Sequence, residues 1–494
     1  MSGSVRTLAR QTVIYGLSSI VPRFLNFLLV PLYTYFFKPA DYGIVADLYS
    51  WAVLLNIVVT YGMETAVFRF TKNDSSGVSA FATAFYSILI SSLLFFFAVA
   101  LNAAYISDIL GYPGRDRYVI YFAFIIAIDA VSAILFVKLR VDEKALRFSI
   151  VKILNVALNV LLNLCFIVLF PWVFRRLGQN FTLTVDYIFI ANLFASAFTF
   201  LLLVDLIPSP GVAQFRLWKS MLVYGIPLML SGIVGAINDV IDRQFIKYFS
   251  PKSVVNPLAD LGVYFANLKI AVILVLFVQA FRYAAEPFFF KNADEKGGRE
   301  SFARVAVLYM SVSMLVFLFT YANLPVFKYF IGSAYWSGLF IVPVVLLANV
   351  FAGLYLNFSM WYKLADKTFM GFLIILVGCL FTVVLDYFFV PLYGYPAAAV
   401  IRMFSYILIT VICYVLGQRY YPIPYRIDAI VLYFAVALVL FVGQFFVTKF
   451  LSGGWVMLIN NLLFLIFVIY FIKKENLTVV INQLLWSIKS RLRL

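Results

Sequence analysis

Five basic residues, Arg23, Arg243, Lys269, Arg282 and Arg402, fall inside apolar runs long enough to cross a bilayer. A charge at that depth costs roughly 2.5–3.5 kcal/mol on insertion scales, so it normally faces water, a partner charge or a ligand. Guanidinium forks and ammonium groups suit phosphate oxygens, and a wet cavity limits their desolvation. Arg23 and Arg243 lie centrally in their runs and are the first candidates for binding an anion. Arg243 also has Asp239 four residues earlier, and Arg282 has Glu286 four residues later, so each carries a local counter-ion. Lys269 and Arg402 sit toward the outer side, where they either meet a passing head group or snorkel outward.

Acidic residues form a second set. Asp239, Asp242, Asp129 and Asp386, with Glu64, are candidates for a coupling-cation site, because a carboxylate in a partly desolvated cavity can hold H⁺ or Na⁺. Asp239 and Asp242, three residues apart, are the best-placed pair; the alternative is that they neutralise Arg243. Asp47 and Glu64 fall near helix ends and read as solvated. The chain has no histidine, which excludes a His-based metal site, catalytic triad or proton relay. Cys165, Cys379 and Cys413 lie in apolar runs without CxxC spacing and read as inert packing residues. No metal or cofactor is expected, and no GxxxxGK[ST] motif points to nucleotide-driven work.

The elements that must position these groups are membrane helices. Of 494 residues 64% are apolar and the mean hydropathy is +1.00, well above the about 45–50% apolar content of soluble domains. The chain therefore reads as an all-α integral membrane protein with about 14 crossings. The first is Gln11–Phe37, with Pro22 and Arg23 near its middle and a kink expected at Pro22. The sixth is Val185–Ile207 and the eighth Leu261–Phe289. The start of the chain reads as a permanent helix, because its apolar run is longer than a signal core. With the N-terminus inside, about 24 of the 38 Lys and Arg residues fall in cytoplasmic connections and about 9 outside, so both termini are expected in the cytoplasm. The net charge of +16 follows this bias and gives no sign of a nucleic-acid partner.

A repeat organises the helices. Ala40–Tyr49 (ADYGIVADLY) matches Ala259–Leu268 (ADLGVYFANL) at an offset of 219, and Phe70, Lys72 and Asn73 match Phe289, Lys291 and Asn292 at the same offset. Six helices per copy predict two lobes, residues 1–210 and 211–422, related by a pseudo-two-fold along the membrane normal. Two further helices occupy 423–475, and 476–494 reads as an amphipathic cytoplasmic tail.

This order resembles the polysaccharide-transporter branch of the multidrug/oligosaccharidyl-lipid/polysaccharide exporter superfamily, a branch similar to the lipid II flippases. The residues that carry the likeness are Gln11–Gly16, Pro31, Asp41–Ile44, and the series Asn155, Asn159, Asn163 followed by Phe166, with Asp386 in the second copy at the place of Asn163. The resemblance implies a multidrug-and-toxin-extruder-like fold in the bacterial inner membrane. It also implies a flippase that moves an undecaprenyl-diphosphate-linked oligosaccharide to the periplasmic leaflet by alternating access. Arg23 would contribute to diphosphate recognition, an ion gradient or the membrane potential would drive transport, and a polysaccharide polymerase and chain-length machinery would be partners. O-antigen, other lipopolysaccharide parts and capsule are the products such flippases serve. A cation-coupled multidrug antiporter is the alternative, for which the central Arg23 is unsuited. A polymerase or ligase is less well matched, because such enzymes hold their catalytic residues in a long external loop.

Overall fold

The computed structural model describes residues 21–71, 78–293, 295 and 297–475. Gln11–Gly16, the Lys72–Asn73 part of the repeat and the tail 476–494 lie outside them. Among the described residues the chain is helical throughout, and 12 helices are long and apolar enough to cross a membrane. Ten of the expected crossings reappear almost as read, the second and eighth with a bend or a break. The sixth is shorter, since Asp186–Leu201 spans only 16 residues. The first lies partly outside the described residues. The protein is a multi-pass integral membrane protein.

The helices fall into two compact units, residues 1–269 with 372–401 and residues 270–371 with 402–494. The first unit starts with helical residues 21–27, a turn at Leu28 and α1 (Leu29–Phe36). The break has a simple cause: Pro31 has no N–H for the carbonyl of Phe27, so the ladder is interrupted there. Next come α2 (Pro39–Thr60), α3 (Met63–Thr71), α4 (Val78–Leu101), α5 (Ala103–Ile109), α6 (Asp116–Val141) and α7 (Ala145–Leu164). Pro39 at the start of α2 loses nothing, because a first-turn N–H has no partner within the helix. After α7 a π-helical turn, Cys165–Leu169, precedes α8 (Phe170–Arg176), so the helix runs past Pro171 before the connection to the next element begins. The unit continues with α9 (Asp186–Leu201), α10 (Phe215–Phe249) and α11 (Pro257–Ile270).

Close packing in this unit depends on glycine and on ring edges. Phe122 and Phe189 meet edge to face at 4.9 Å between α6 and α9. The expected asparagine ladder fastens α7 on two sides. Tyr33 donates to Asn163 (3.0 Å), and Asn155 donates to Ala195 O (3.0 Å) and to Thr199 Oγ1 (2.7 Å). Where α2 crosses α11, a Cβ added to Gly43 would lie 1.9 Å from Leu258 O, and one added to Gly262 would lie 1.9 Å from Pro39 O. Each pair, Gly43 and Gly262 or Pro39 and Leu258, shares the offset of 219. The crossing is therefore reciprocal: the two copies of the repeat touch backbone to backbone about a local two-fold. A second close approach bends the chain at the end of α2, where Gly62 has φ +74° and sits against the Gly225 carbonyl.

The second unit holds α12 (Val272–Asn292), α13 (Gly298–Ala322), α14 (Leu324–Phe327), α15 (Val342–Phe358) and α16 (Met360–Leu364). α17 (Thr368–Tyr393) and α18 (Tyr395–Tyr420) are shared between the units, and α19 (Ile427–Phe450) and α20 (Gly454–Lys474) complete the second. Its aromatic core includes Phe289 against Phe302, edge to face at 4.8 Å, with Ala285, Met360 and Ile423 around them. α19 and α20, expected outside the repeat, pack on α13 and on each other. Buried amides lock them: Gln444 donates to Asn460 O at 3.0 Å, and Asn323 bonds Asn461.

The reciprocal crossing yields a test. Gly43→Ala and Gly262→Ala each force a methyl into a backbone carbonyl and should destabilise the protein by about 1–3 kcal/mol or more. Gly235→Ala, with nothing within 4 Å, should leave thermal unfolding in detergent unchanged or slightly raised. Equal unfolding temperatures for all three would refute the close crossing.

Candidate functional site

The crossing of α2 with α11 decides which polar groups meet in the first unit. Ser50 on α2 and Lys269 on α11 lie seven residues, two helical turns, beyond Gly43 and Gly262, so they project from the same faces as the glycines. Both approach Arg243 of α10. Arg243 Nη1 donates to Ser50 Oγ at 3.0 Å, and its guanidinium carbon lies 5.0 Å from the Phe265 ring centroid. Lys269 Nζ lies 4.3 Å from the same centroid. Among the described residues the Lys269 ammonium has no hydrogen bond or ion pair. Two cations thus share one aromatic ring.

Acids border this cation pair on α10. Asp242 is 1% exposed, accepts from Tyr264 OH at 2.5 Å and from the Arg243 backbone N–H at 2.8 Å. Asp239 is exposed, so the two members of the pair inferred from spacing face different surroundings. One helix away, Thr382 of α17 donates to Asn238 Oδ1 (3.1 Å). Asp386, one turn further along α17, is fully buried. Asn238 and Thr382 thus join α10 to α17, with Asp242 one turn along α10 and Asp386 one turn along α17.

The other candidates lie apart. Arg23 is exposed on the helical stretch 21–27. Arg282 pairs with Glu286 at 3.4 Å, as its spacing suggested, and Glu286 also takes Lys363. Arg402 lies 5.8 Å from the Tyr406 ring in the second unit. Asp129 and Glu64 line a separate cavity in the first unit, and Glu64 pairs with Arg140 at 3.4 Å.

One expectation is overturned. Asp47 is not solvated: it is 0% exposed and is the acceptor of a buried network. Lys247 of α10 reaches Asp47 Oδ2 at 2.5 Å. Tyr112 donates to the same oxygen at 2.6 Å and Gln244 to Oδ1 at 2.8 Å. The Lys247 ammonium also lies 4.3 Å from the Tyr112 ring centroid. Burial first, and then the Asp47 carboxylate, push the Tyr112 phenol well above its ordinary value, so it stays protonated and remains a donor. The network ties α2, α10 and the loop before α6 together. Its sequence signal is weak, because Asp47 and Lys247 are 200 residues apart and both sit near the ends of apolar runs.

Comparison with known proteins agrees with this architecture. A family model described as "polysaccharide biosynthesis protein" matches residues 8–293. No curated protein matches the chain by sequence. A lipid II flippase, MurJ, in an inward closed conformation superposes with a TM-score of 0.72 at 15% identity, covering 94% of this chain and 99% of that one. An inward-facing multidrug resistance transporter of the MATE family, in the MOP superfamily, gives 0.59 at 13% identity, covering 83% and 95%. A MOP superfamily transporter from Pyrococcus furiosus, described by the reverse polarity of its binding pocket, gives 0.55 at 14%, covering 86% and 96%. At such identities the likeness is one of fold.

The buried Asp47 network predicts asymmetric mutational effects. Lys247→Met leaves a buried carboxylate without its cation and should cost about 3–5 kcal/mol, whereas removing both charges in Asp47→Asn/Lys247→Met should cost clearly less. Thermal unfolding in detergent distinguishes these, and a double variant no more stable than the single one would refute the pairing.

Proposed function

The chain belongs to the polysaccharide biosynthesis protein family, and from that premise we propose that it is a flippase for an anionic, lipid-linked oligosaccharide. The substrate class is an undecaprenyl-diphosphate-linked repeat unit moved from the cytoplasmic to the periplasmic leaflet by alternating access. The observation that carries this reading is the cation pair on Phe265. Arg243 is held by Ser50 and the ring, and Lys269 is held by the ring alone. A diphosphate offers several oxygens, so one head group can take the guanidinium fork and the ammonium together. Before it arrives, the face of Phe265 partly screens the two charges from each other. Arg23 would add a third cation, and Arg282 and Arg402 would act outside this pair.

Movement requires no covalent step. The Asp242, Asn238, Thr382 and Asp386 group is suited to a coupling cation, H⁺ or Na⁺, because it gathers oxygen donors beside the cation pair. Filling it would change the net charge next to Arg243 and so the hold on an anion. A multidrug cation antiporter is the second reading, favoured by the same acids. The spare charge of Lys269 weighs against it, since an organic cation gains nothing from an unpaired ammonium. A polymerase and chain-length proteins are the partners this reading implies in the inner membrane.

The test uses purified protein in liposomes carrying a fluorescent undecaprenyl-diphosphate oligosaccharide, with an added glycosidase reporting the exposed leaflet. Wild-type protein should translocate the lipid. Arg243→Ala and Lys269→Ala should each slow it about tenfold or more, as expected for the loss of a charge-assisted contact worth about 1.5–3 kcal/mol, while staying monodisperse. Arg282→Ala should have little effect. Wild-type export of organic cations with no lipid movement would replace this reading by the antiporter.

A further inference from the structure

The second unit holds a cavity that has no role in the reading above. It has a volume of about 630 Å³ and lies where the last turns of α13 and α19 meet α14, α15 and the 3₁₀ segment Ser333–Ile341. Its walls include Tyr321, Lys328, Phe340, Phe441, Phe445 and Thr448. We propose that this cavity binds an anionic phospholipid, with the phosphodiester on the Lys328 ammonium and an acyl chain inside.

Four observations support it. The first is the wall itself. Apart from Tyr321, Lys328 and Thr448, every side chain on it is apolar. Phe340 and Phe445 are also exposed, so the cavity opens sideways on a face that a bilayer would cover. Apolar walls without partner atoms forfeit dispersion energy, and a hydrocarbon chain restores it. The second is Lys328, which is half-buried. Its ammonium lies 5.1 Å from the Tyr329 ring centroid and 4.6 Å from that of Trp336. The two rings meet edge to face at 5.4 Å, and the Trp336 indole N–H donates to Lys328 O at 2.8 Å. A lysine that merely snorkels keeps its rotamer freedom, whereas this one is confined. Among the described residues its ammonium has no ion pair or hydrogen bond.

The third observation is the charge of the surroundings. Between Glu300 and Asp366, and again between Asp428 and Glu475, the sequence has no acidic residue. Every segment that builds the cavity lies in one of these two stretches, so none of them brings Lys328 a carboxylate. The fourth is depth. Tyr and Trp side chains gather where hydrocarbon gives way to head groups, so Tyr329 and Trp336 put the ammonium at the level of lipid phosphates. The apolar cavity then runs from there along about two turns of α19, from Thr448 to Phe441.

One ammonium matches the single charge of a phosphodiester, whereas a diphosphate would keep unmet charge. A zwitterionic lipid brings its own ammonium and gains less from Lys328. The site shares no residue with the cation pair on Phe265, and its existence does not depend on the substrate.

Native mass spectrometry of the purified full-length protein tests the proposal, with phosphatidylglycerol and phosphatidylcholine of the same acyl chains titrated separately. Wild-type protein should hold one phosphatidylglycerol about fivefold more tightly than phosphatidylcholine, the gain expected of one lysine near an anionic head group. Lys328→Met should erase that difference. Lys449→Met removes an exposed lysine near the same end of α19 that does not line the cavity, and should preserve it. Val344→Trp fills the cavity without altering charge and should lower the binding of phosphatidylglycerol several-fold, which serves if Lys328→Met does not fold. Equal binding of the two lipids by wild-type protein, or a preference that survives Lys328→Met, would overturn the head-group contact. Binding unaffected by Val344→Trp would overturn the cavity. Loss of the bound phosphatidylglycerol to an equal amount of undecaprenyl phosphate would overturn the choice of lipid. Movement of a lipid-linked oligosaccharide can fail or succeed independently of each of these results.

Discussion

The backbone crossing at Gly43 and Gly262 is the constraint from which the rest of the first unit follows. A carbonyl occupies the place of each missing Cβ, so α2 and α11 meet backbone to backbone at the crossing, with Tyr42 and Phe265 packed ring against ring at 5.4 Å beside it. Two helices held that closely have a fixed register. Every residue one or two turns beyond the crossing is then placed: Asp47 and Ser50 on one helix, Phe265 and Lys269 on the other. α10 lies against α2, and its own helical period delivers Arg243 to Ser50 and Lys247 to Asp47. Ser50 and Lys269 share the offset of the glycines. The two-fold of the backbone is thus broken in the side chains, with a hydroxyl on one side and an ammonium on the other. That asymmetry puts a second cation, Lys269, on the ring that Arg243 also meets.

Charges inside the unit fall into two kinds, separated by their partners. The Asp47 network is closely partnered: the carboxylate accepts from Lys247, Tyr112 and Gln244. A network of that sort fixes the relative position of helices and gives a ligand nothing to bind. The Lys269 ammonium and Asp129 are incompletely partnered, with aromatic rings or hydroxyls in place of opposite charge. Leaving them so costs stability, and such a cost persists where a ligand can relieve it. Closely partnered groups such as those at Asp47 hold the scaffold.

Much of this was legible in the sequence where the signal was local or periodic. Helices of about 20 apolar residues declare themselves, and the spacing of Arg282 and Glu286 foretold their pairing. The ADYG and ADLG copies foretold a repeat, though not that their glycines would touch. Long-range pairing was invisible: hydropathy treats Asp47 and Lys247 as end residues, and nothing local links positions 200 apart. Asp239 and Asp242 show the converse limit, since three-residue spacing put them on one face while one is exposed and the other buried. A helix face spans about 100°, so neighbours at its edge can end in different environments. The π-turn after α7 was likewise unreadable, because Pro171 explains a disturbance without fixing its form.

The two incompletely partnered groups also lie close along one helix, and this bears on how a transporter of this fold could couple them. The Phe265 ring meets two cations, Arg243 and Lys269. The Asp129 cavity is lined by a carboxylate, a lysine and amides. Both are built on α2, through Ser50 at one site and Asn56 and Thr60 at the other, within three turns of one helix. A ligand that draws these α2 residues inward would shift Ser50 and with it the guanidinium it holds. Coupling through one helix needs only that the two positions of α2 differ in free energy by the differential affinity of the ligand, on the order of 1–3 kcal/mol.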